Sequence, residues 1–148
     1  MTSLNEESIR QALAGDPLVG REVRVLPEVG STNDYLKEAA RGGAPEGLAV
    51  LAERQTAGKG RLGRSFQSPA GLGLWMSVLL RPTCPPERLP PVTALTAAAC
   101  AGAIREVRGA EVGVKWPNDL VLDGRKLCGI LTELESGGEG LALVIGIG

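Results

Sequence analysis

The last third of the chain constrains the fold most, because short apolar segments follow one another there with little sequence between them. Strand patterns are predicted at residues 112–115, 120–122, 126–134 and 141–147. Asp123 and Gly124, between the second and third segments, are a pair typical of a two-residue hairpin turn. Hairpins are therefore expected to dominate this part of the chain, with antiparallel strands.

The rest of the chain alternates helix and strand patterns. Helices are predicted at residues 5–14, from Ser31 to Gly42, and at 92–107; strands are predicted at 21–26, 48–52 and 72–80. The third helix is apolar on nearly all sides, which predicts burial. Residues 53–71 form a long loop, and loops of this length tend to be functional or disordered. These patterns predict an α+β fold in one domain, residues 1–148, with a mixed, mostly antiparallel sheet packed against helices on one face.

Charge and residue usage exclude several classes of function. The net charge is −1, so an anion site has to be a local cluster, and no footprint for DNA or a membrane surface is present. The chain has no histidine, which excludes histidine-based nucleophile pairs, proton relays and metal ligands. The three cysteines are widely spaced, as in reduced cytoplasmic proteins. A polar start and the lack of a long apolar run predict a cytoplasmic protein without a membrane partner.

The clearest candidate site is a glycine-rich basic segment at residues 55–64. Its three cations, Lys59, Arg61 and Arg64, alternate with Gly58, Gly60 and Gly63. Glycines let the backbone approach a ligand, and the cations suit a phosphate or a carboxylate. The segment lacks the spacing of a Walker A loop and of a dinucleotide fingerprint. Anion binding and a solvated or RNA-binding basic loop both remain open on composition.

Three shorter motifs add polar residues. Residues 115–119 join Lys115, Trp116, Asn118 and Asp119 around a proline; Asp119 is a candidate Mg²⁺ ligand, and a plain surface turn is the alternative. Lys126 begins an otherwise apolar strand, and Gly129 within that strand is typical of a bulge or a close approach by a ligand.

The third of these motifs is Ser31-Thr32-Asn33, at the start of a predicted helix. These residues serve as a helix cap without further function, or they offer hydroxyl and N–H groups to a polar ligand. Cys128, between Lys126 and Gly129, is interpreted as a small buried hydrophobic residue.

In order and spacing, these segments closely resemble the biotin protein ligases. The resemblance covers residues 23–148 and rests on Ser-Thr-Asn, the glycine–arginine segment, Lys-Trp-Pro-Asn-Asp and Arg-Lys-x-x-Gly-Ile. It implies a biotin ligase catalytic fold of the class II aminoacyl-tRNA synthetase type. It also implies ATP-dependent activation of biotin to biotinyl-AMP and transfer of biotin to a lysine of a biotin carboxyl carrier protein. Homodimer formation is left open.

The resemblance implies roles for individual residues. Biotin-binding residues would be Ser31, Thr32, Asn33, Gln55, Gly58, Lys59, Arg61, Lys126 and Gly129. Nucleotide-binding residues would be Lys59, Arg61, Arg64, Phe66, Lys115, Trp116 and Asn118. Lys126, Arg61 and Asp119 would carry the chemistry, with Asp119 holding Mg²⁺ or balancing the charge of the site.

The sequence departs from the family pattern in a few places. Lys59 stands where many members have arginine, and Phe66 stands where tryptophan often packs near adenine. The chain ends within an apolar strand pattern, so the catalytic domain is expected to be incomplete at its C-terminal end. A DNA-binding helix-turn-helix pattern is absent, so no DNA partner is expected. The competing functions are a lipoate or octanoate transferase of related fold and a non-enzymatic nucleotide- or RNA-binding module.

Overall fold

The computed structural model describes residues 4–137 and 139–148. Its helices are α1 (Glu6–Ala12), α2 (Thr32–Arg41) and α3 (Pro91–Arg108). Its strands are β1 (Glu22–Leu26), β2 (Leu48–Ala52), β3 (Trp75–Leu80), β4 (Gly113–Lys115), β5 (Asp119–Leu122), β6 (Arg125–Gly137) and β7 (Gly140–Ile147). Every helix and strand predicted from the sequence is present, within a few residues of its predicted bounds.

The strands form one mixed sheet in the order β1-β2-β3-β7-β6-β5-β4. Strands β1 and β2 are parallel, and each other neighbouring pair is antiparallel. The hairpin between β5 and β6 turns at Asp123 and Gly124, both of which have positive φ, as a two-residue turn of this type requires. The predicted mixed, mostly antiparallel sheet is confirmed.

The helices lie on both faces of the sheet, so the prediction that they share one face is wrong. Leu36 and Ala40 of α2 pack with Ala142 and Val144 of β7. The neighbouring odd-numbered residues of β7, together with Ile130 of β6, pack with α3 on the other side. Successive side chains of a strand point to opposite faces, so β7 serves two cores. An apolar pattern on both sides of a central strand was the signal for two helix layers.

Helix α3 is also less buried than its apolar composition predicts. Only Ala97 and Ala101 among its residues are buried, whereas Leu95 is 66% and Val107 is 78% exposed. The helix contacts the sheet through a narrow line of small side chains, because Ala97 and Ala101 are four residues apart and share one face. Val92, Cys100 and Ile104 are partly buried against the same core, whereas Leu95 and Val107 face away from it. The helix ends at Gly109 in the left-handed conformation, as predicted.

Candidate active site

The first part of the site is a buried polar cluster at the start of α2. Oε1 of Gln55 accepts hydrogen bonds from the Thr32 backbone N–H at 2.8 Å and from the Thr32 hydroxyl at 3.0 Å. Nε2 of Gln55 donates to Ser68 Oγ at 2.8 Å. Ser31 caps α2, because its Oγ accepts from the backbone N–H of Asp34. Ser31 therefore caps the helix, and the same turn also places polar groups in the site.

A serine on the central strand β3 ties this cluster together. Oγ of Ser77, which is 0% exposed, lies 2.7 Å from Thr32 Oγ1 and 2.6 Å from Asn33 Oδ1. Asn33 also donates to Glu133 of β6 at 2.8 Å. A Cβ atom at position 146 would collide with the Asn33 side chain, which explains glycine there. These buried groups satisfy one another and hold the first turn of α2 against the sheet.

The glycine-rich segment forms a folded loop, here called the glycine loop (residues 57–66). The Phe66 N–H donates to the Gly58 carbonyl at 2.8 Å, and the Gly60 N–H donates to the Arg64 carbonyl at 2.7 Å. A Cβ at position 58 would meet the Phe66 carbonyl, so glycine is required for the close approach of the two halves. The loop tip at Leu62 has a φ of 57° and is largely exposed.

Two cations from different elements meet in front of the polar cluster. Nη1 of Arg61 donates to Asn118 Oδ1 at 2.6 Å, and Asn118 in turn donates to the Ile130 carbonyl at 3.2 Å. Nζ of Lys126 lies 3.1 Å from Asp119 Oδ1 and 5.8 Å from the ring centre of Phe66. The Lys126 side chain folds over Gly129, where a Cβ would be 3.1 Å from Nζ. Glycine at 129 therefore makes room for the lysine.

Lys59, another predicted cation of the loop, is directed toward Asp34 of α2. Its Nζ lies 2.6 Å from Asp34 Oδ2 and 2.9 Å from Oδ1. Burial raises the pKa of Asp34, but hydrogen bonds from Lys59 and Lys37 outweigh that effect and lower it overall. The Lys59 charge is thus held at α2.

Two cavities adjoin at this place. The first cavity contains Ser31, Thr32, Asn33 and Gln55 at its polar side, and Met76, Ile130 and Ile147 among its apolar lining residues. The second cavity lies against Leu62, Arg64, Ser65 and Asp119. Residues that line both cavities are Gly60, Arg61, Phe66, Asn118 and Lys126. Arg61 and Lys126 therefore stand where the two cavities adjoin, in front of the polar side chains of the first cavity.

The comparisons with known proteins agree with this arrangement. The model of the Biotin/lipoate A/B protein ligase family matches residues 25–148. The chain belongs to this family. The bifunctional ligase/repressor BirA of Bacillus subtilis is 39% identical over 146 residues, which are 98% of this chain and 45% of that protein. The biotin--[acetyl-CoA-carboxylase] ligase of Mycobacterium tuberculosis is 38% identical over 136 residues, covering 88% of this chain and 51% of that protein.

A solved structure of a biotin protein ligase shares the fold of this chain. The biotin protein ligase of Aquifex aeolicus in complex with biotin and ATP has a TM-score of 0.69 and 36% sequence identity. The match covers 86% of this chain and 51% of that one. The predicted family and its fold are confirmed. The chain spans about half the length of these proteins, as the coverage of 45–51% states.

Most residues assigned by the family resemblance line one or both cavities, and three do not. Lys115 and Trp116 line neither cavity, and Trp116 is 76% exposed. Both backbone groups of Gly129 pair with Gly148, at 2.7 Å for its N–H, so that N–H is not free for a ligand. Gly58 is in the loop next to the first cavity without lining it. The roles of these residues remain predictions.

Sequence reasoning missed the residues that support the site. Ser77, Ser68 and Glu133 bond to the predicted residues, and none has a motif of its own. A serine in the middle of the apolar strand β3 was the one available signal, because a buried hydroxyl needs a partner.

Cys128 lies in β6, between Lys126 and Gly129. Burial is the main cause that raises the pKa of the Cys128 thiol to about 11, so it remains protonated and inert, as predicted for a buried hydrophobic residue.

Within the described ranges, no three acidic or cysteine side chains are grouped to hold a metal ion. Asp119 stands beside Lys126 and is a single carboxylate, which does not amount to a metal site built by the protein. No helix in those ranges is long and apolar enough to cross a membrane.

Proposed function

We propose that the chain forms the biotin- and ATP-binding part of a biotin protein ligase. The enzyme would activate biotin to biotinyl-AMP and transfer biotin to a lysine of a biotin carboxyl carrier protein. The observation that carries this proposal is the position of Arg61 and Lys126, which line both cavities. A carboxylate in the first cavity and a phosphate in the second would meet at these two cations.

The first cavity suits a small molecule with a neutral polar head and an acidic tail. The hydroxyls of Ser31 and Thr32 and the amide of Gln55 offer donors and acceptors for the ureido ring of biotin. Met76, Ile130 and Ile147 give apolar contacts for the thioether ring and the valeryl chain. Lipoate and octanoate lack a ureido group and would make no use of the remaining hydrogen-bonding capacity at this end, such as the second N–H of the Gln55 amide, which donates to Ser68 with the first.

The first reaction step needs positioning and charge neutralisation instead of a protein nucleophile. A carboxylate oxygen of biotin forms a bond to the α-phosphorus of ATP while the bond from that phosphorus to the bridging oxygen breaks, and pyrophosphate leaves. Negative charge gathers where the two anions approach. Lys126 and Arg61 stabilise that charge and keep the reacting oxygens close, which is the main source of rate enhancement in such reactions.

The nucleotide would occupy the second cavity. Arg64 lines this cavity and supplies positive charge for the phosphates, while the Phe66 ring gives a stacking surface beside it. Mg²⁺ would arrive with ATP as part of the substrate, bound mainly by phosphate oxygens, because Asp119 is a single carboxylate that already faces Lys126. Asp119 is therefore assigned to charge balance beside Lys126.

In the second step, the uncharged amine of the carrier lysine attacks the acyl carbon of biotinyl-AMP. The bond from that carbon to the phosphate oxygen breaks, AMP leaves, and the new amide nitrogen releases its proton to solvent. The carrier is proposed to be the biotin-accepting domain of a carboxylase. The name of the Mycobacterium relative, a ligase for acetyl-CoA carboxylase, supports this choice.

The experiment is pyrophosphate–ATP exchange by the purified protein with biotin, lipoate or octanoate as the acid. We expect exchange that depends on biotin, and transfer of biotin to a carrier domain on adding that domain. Exchange supported by lipoate or octanoate but not by biotin would replace this proposal with the related acyltransferase. Nucleotide or RNA binding without biotin binding, measured by calorimetry, would replace it with a binding module.

A further inference from the structure

Asp34 lies outside the set of residues that the family resemblance assigns to biotin or ATP. It is the third residue of α2, and its two carboxylate oxygens lie 2.9 Å and 2.6 Å from Nζ of Lys59 on the glycine loop. The two residues are 25 positions apart in sequence. This ion pair therefore joins the loop to the helix that carries Ser31, Thr32 and Asn33.

Asp34 is also part of a longer chain of charges. Lys37, one turn further along α2, lies 3.1 Å from Asp34 and 3.0 Å from Glu133 of β6. Glu133 in turn accepts a hydrogen bond from Asn33. Lys37 is thus held by two carboxylates, whereas Asp34 is the one carboxylate within salt-bridge distance of Lys59 in residues 4–137 and 139–148. Loss of Asp34 would free Lys59 but leave Lys37 bound.

The loop has few other attachments near Lys59. The backbone of Lys59 pairs with that of Ser65 across the loop. A contact that restrains Lys59 therefore restrains both strands of the loop. Leu62, at the tip, is exposed and packs on nothing that would retain it. Besides the ion pair, the hydrogen bond from Arg61 to Asn118 joins the loop to the rest of the fold. A segment with few buried apolar contacts opens at low free-energy cost, so the loss of one of these two contacts should be measurable.

We propose that Asp34 is a positioning residue that fastens the glycine loop over the first cavity through Lys59. Asp34 also keeps the Lys59 charge at α2, so that the carboxylate of biotin is bound by Arg61 and Lys126. This second role rests on the proposed function. Lys59 has three N–H donors, and Asp34 engages it with both oxygens. The first cavity, which Lys59 also lines, is thereby kept neutral on its Ser31–Thr32 side.

The first test uses the protein without ligand and is independent of what the site binds. Amide hydrogen exchange is measured at Gly60 and Phe66, whose N–H groups bond within the loop. Asp34→Asn removes the charge and keeps the shape, and we expect about two- to fivefold faster exchange at both amides, as for a partly exposed ion pair. Lys59→Met should give the same increase, and the double variant should add nothing to it.

Matched variants separate the loop contact from general effects on α2. Glu38→Gln removes another ion pair of the same helix, with Arg41, and should leave the loop amides unchanged. Lys37→Met removes the contacts of Lys37 with Glu133 and Asp34 but keeps the pair of Asp34 with Lys59, so it should also leave the loop amides unchanged. Lys59→Arg should retain slow exchange. Unchanged exchange in Asp34→Asn, or an equal increase in Lys37→Met, would overturn the proposal.

The second test measures biotin affinity and exchange kinetics in the same variants. We expect Asp34→Asn to raise the KM for biotin about two- to fivefold with little change in kcat, because Asp34 acts before the chemical step. Tighter biotin binding would mean that Asp34 competes with the ligand for Lys59, which overturns the assignment. Faster loop exchange without biotin binding in any variant would instead contradict the proposed function and leave the loop contact standing.

Discussion

Nζ of Lys126 lies 3.1 Å from Oδ1 of Asp119, a buried oxygen that has no hydrogen bond with good geometry. Lys126 is the second residue of β6, and about half of its side chain is exposed. Asp119 therefore holds the lysine at the boundary of the two cavities, while the ammonium group remains open to an incoming anion. An incoming carboxylate and phosphate would supply the further acceptors that a lysine with three donors can use.

Replacing Lys126 by alanine should reduce biotin-dependent pyrophosphate exchange by about a hundredfold or more, as for the loss of one oxyanion donor. The reason is that no other described lysine lines both cavities. Arg125→Ala is the matched control, since Arg125 neighbours Lys126 on β6 and lines neither of them. An unchanged exchange rate in Lys126→Ala would remove the lysine from the mechanism.

The ion pair should also appear in the stability of the protein without ligand. Lys126→Met leaves the Asp119 carboxylate unpaired and should lower the free energy of unfolding by about 0.5–1 kcal/mol, since the lysine is half exposed. Adding Asp119→Asn removes the unpaired charge and should recover most of this loss. Urea unfolding of the two singles and the double variant measures the coupling, and strictly additive effects would contradict it.

The fold was largely predictable from the sequence because its signals are local. Hairpin residues, helix caps and alternating apolar segments gave each strand and helix within a few residues. The placement of α2 and α3 on opposite faces was missed because it depends on which side chains of β7 meet which helix. The exposure of α3 was missed because an alanine-rich helix has no clear polar face in sequence, although only Ala97 and Ala101 of this helix are fully buried.

The site was predictable where a motif is contiguous and not where it is assembled by the fold. The family resemblance supplied the loop cations, Gln55 and Lys126 together, and the structure places them along the two adjoining cavities. Ser77 and Glu133 come from different strands and have ordinary neighbours in sequence. Each is bonded to Asn33, from which Ser77 is 44 and Glu133 is 100 positions away in sequence. A pattern in the linear sequence does not contain such contacts.

Glycine 146 is expected to be intolerant of a side chain. Gly146→Ala places a methyl group against Asn33 Oδ1 in a fully packed polar cluster, and it should lower stability by about 1–3 kcal/mol and weaken biotin binding. Gly102→Ala is the control within α3, where a Cβ has nothing within 4 Å. That change should stabilise the protein by about 0.5–1 kcal/mol, because alanine favours the helix. Equal behaviour of the two variants in thermal unfolding would contradict the packing argument.

The glycine loop should gain protection when the site fills. Amides at the loop tip, such as those of Leu62 and Gly63, should exchange fast in the empty protein, since Leu62 is 87% exposed and few buried contacts hold the tip. Biotin plus ATP should slow exchange from Thr56 to Phe66, because both cavities share the loop as a wall. Amides of β2 serve as the internal reference. Equal protection with and without ligands would identify the loop as a rigid element.

The pH dependence of stability should report the contact between Asp34 and its two lysines. Burial raises the pKa of Asp34, but hydrogen bonds from Lys59 and Lys37 lower it below the ordinary value of 3.8. The unfolded chain therefore takes up this proton first, so Asp34 stabilises the fold above its ordinary pKa and loses that contribution as the pH falls through the lowered one. Urea unfolding of the parent protein and Asp34→Asn should give a constant difference between about pH 7 and 5 that shrinks in stronger acid. A difference that stays constant down to about pH 2 would assign the effect to the shape of the side chain instead of its charge.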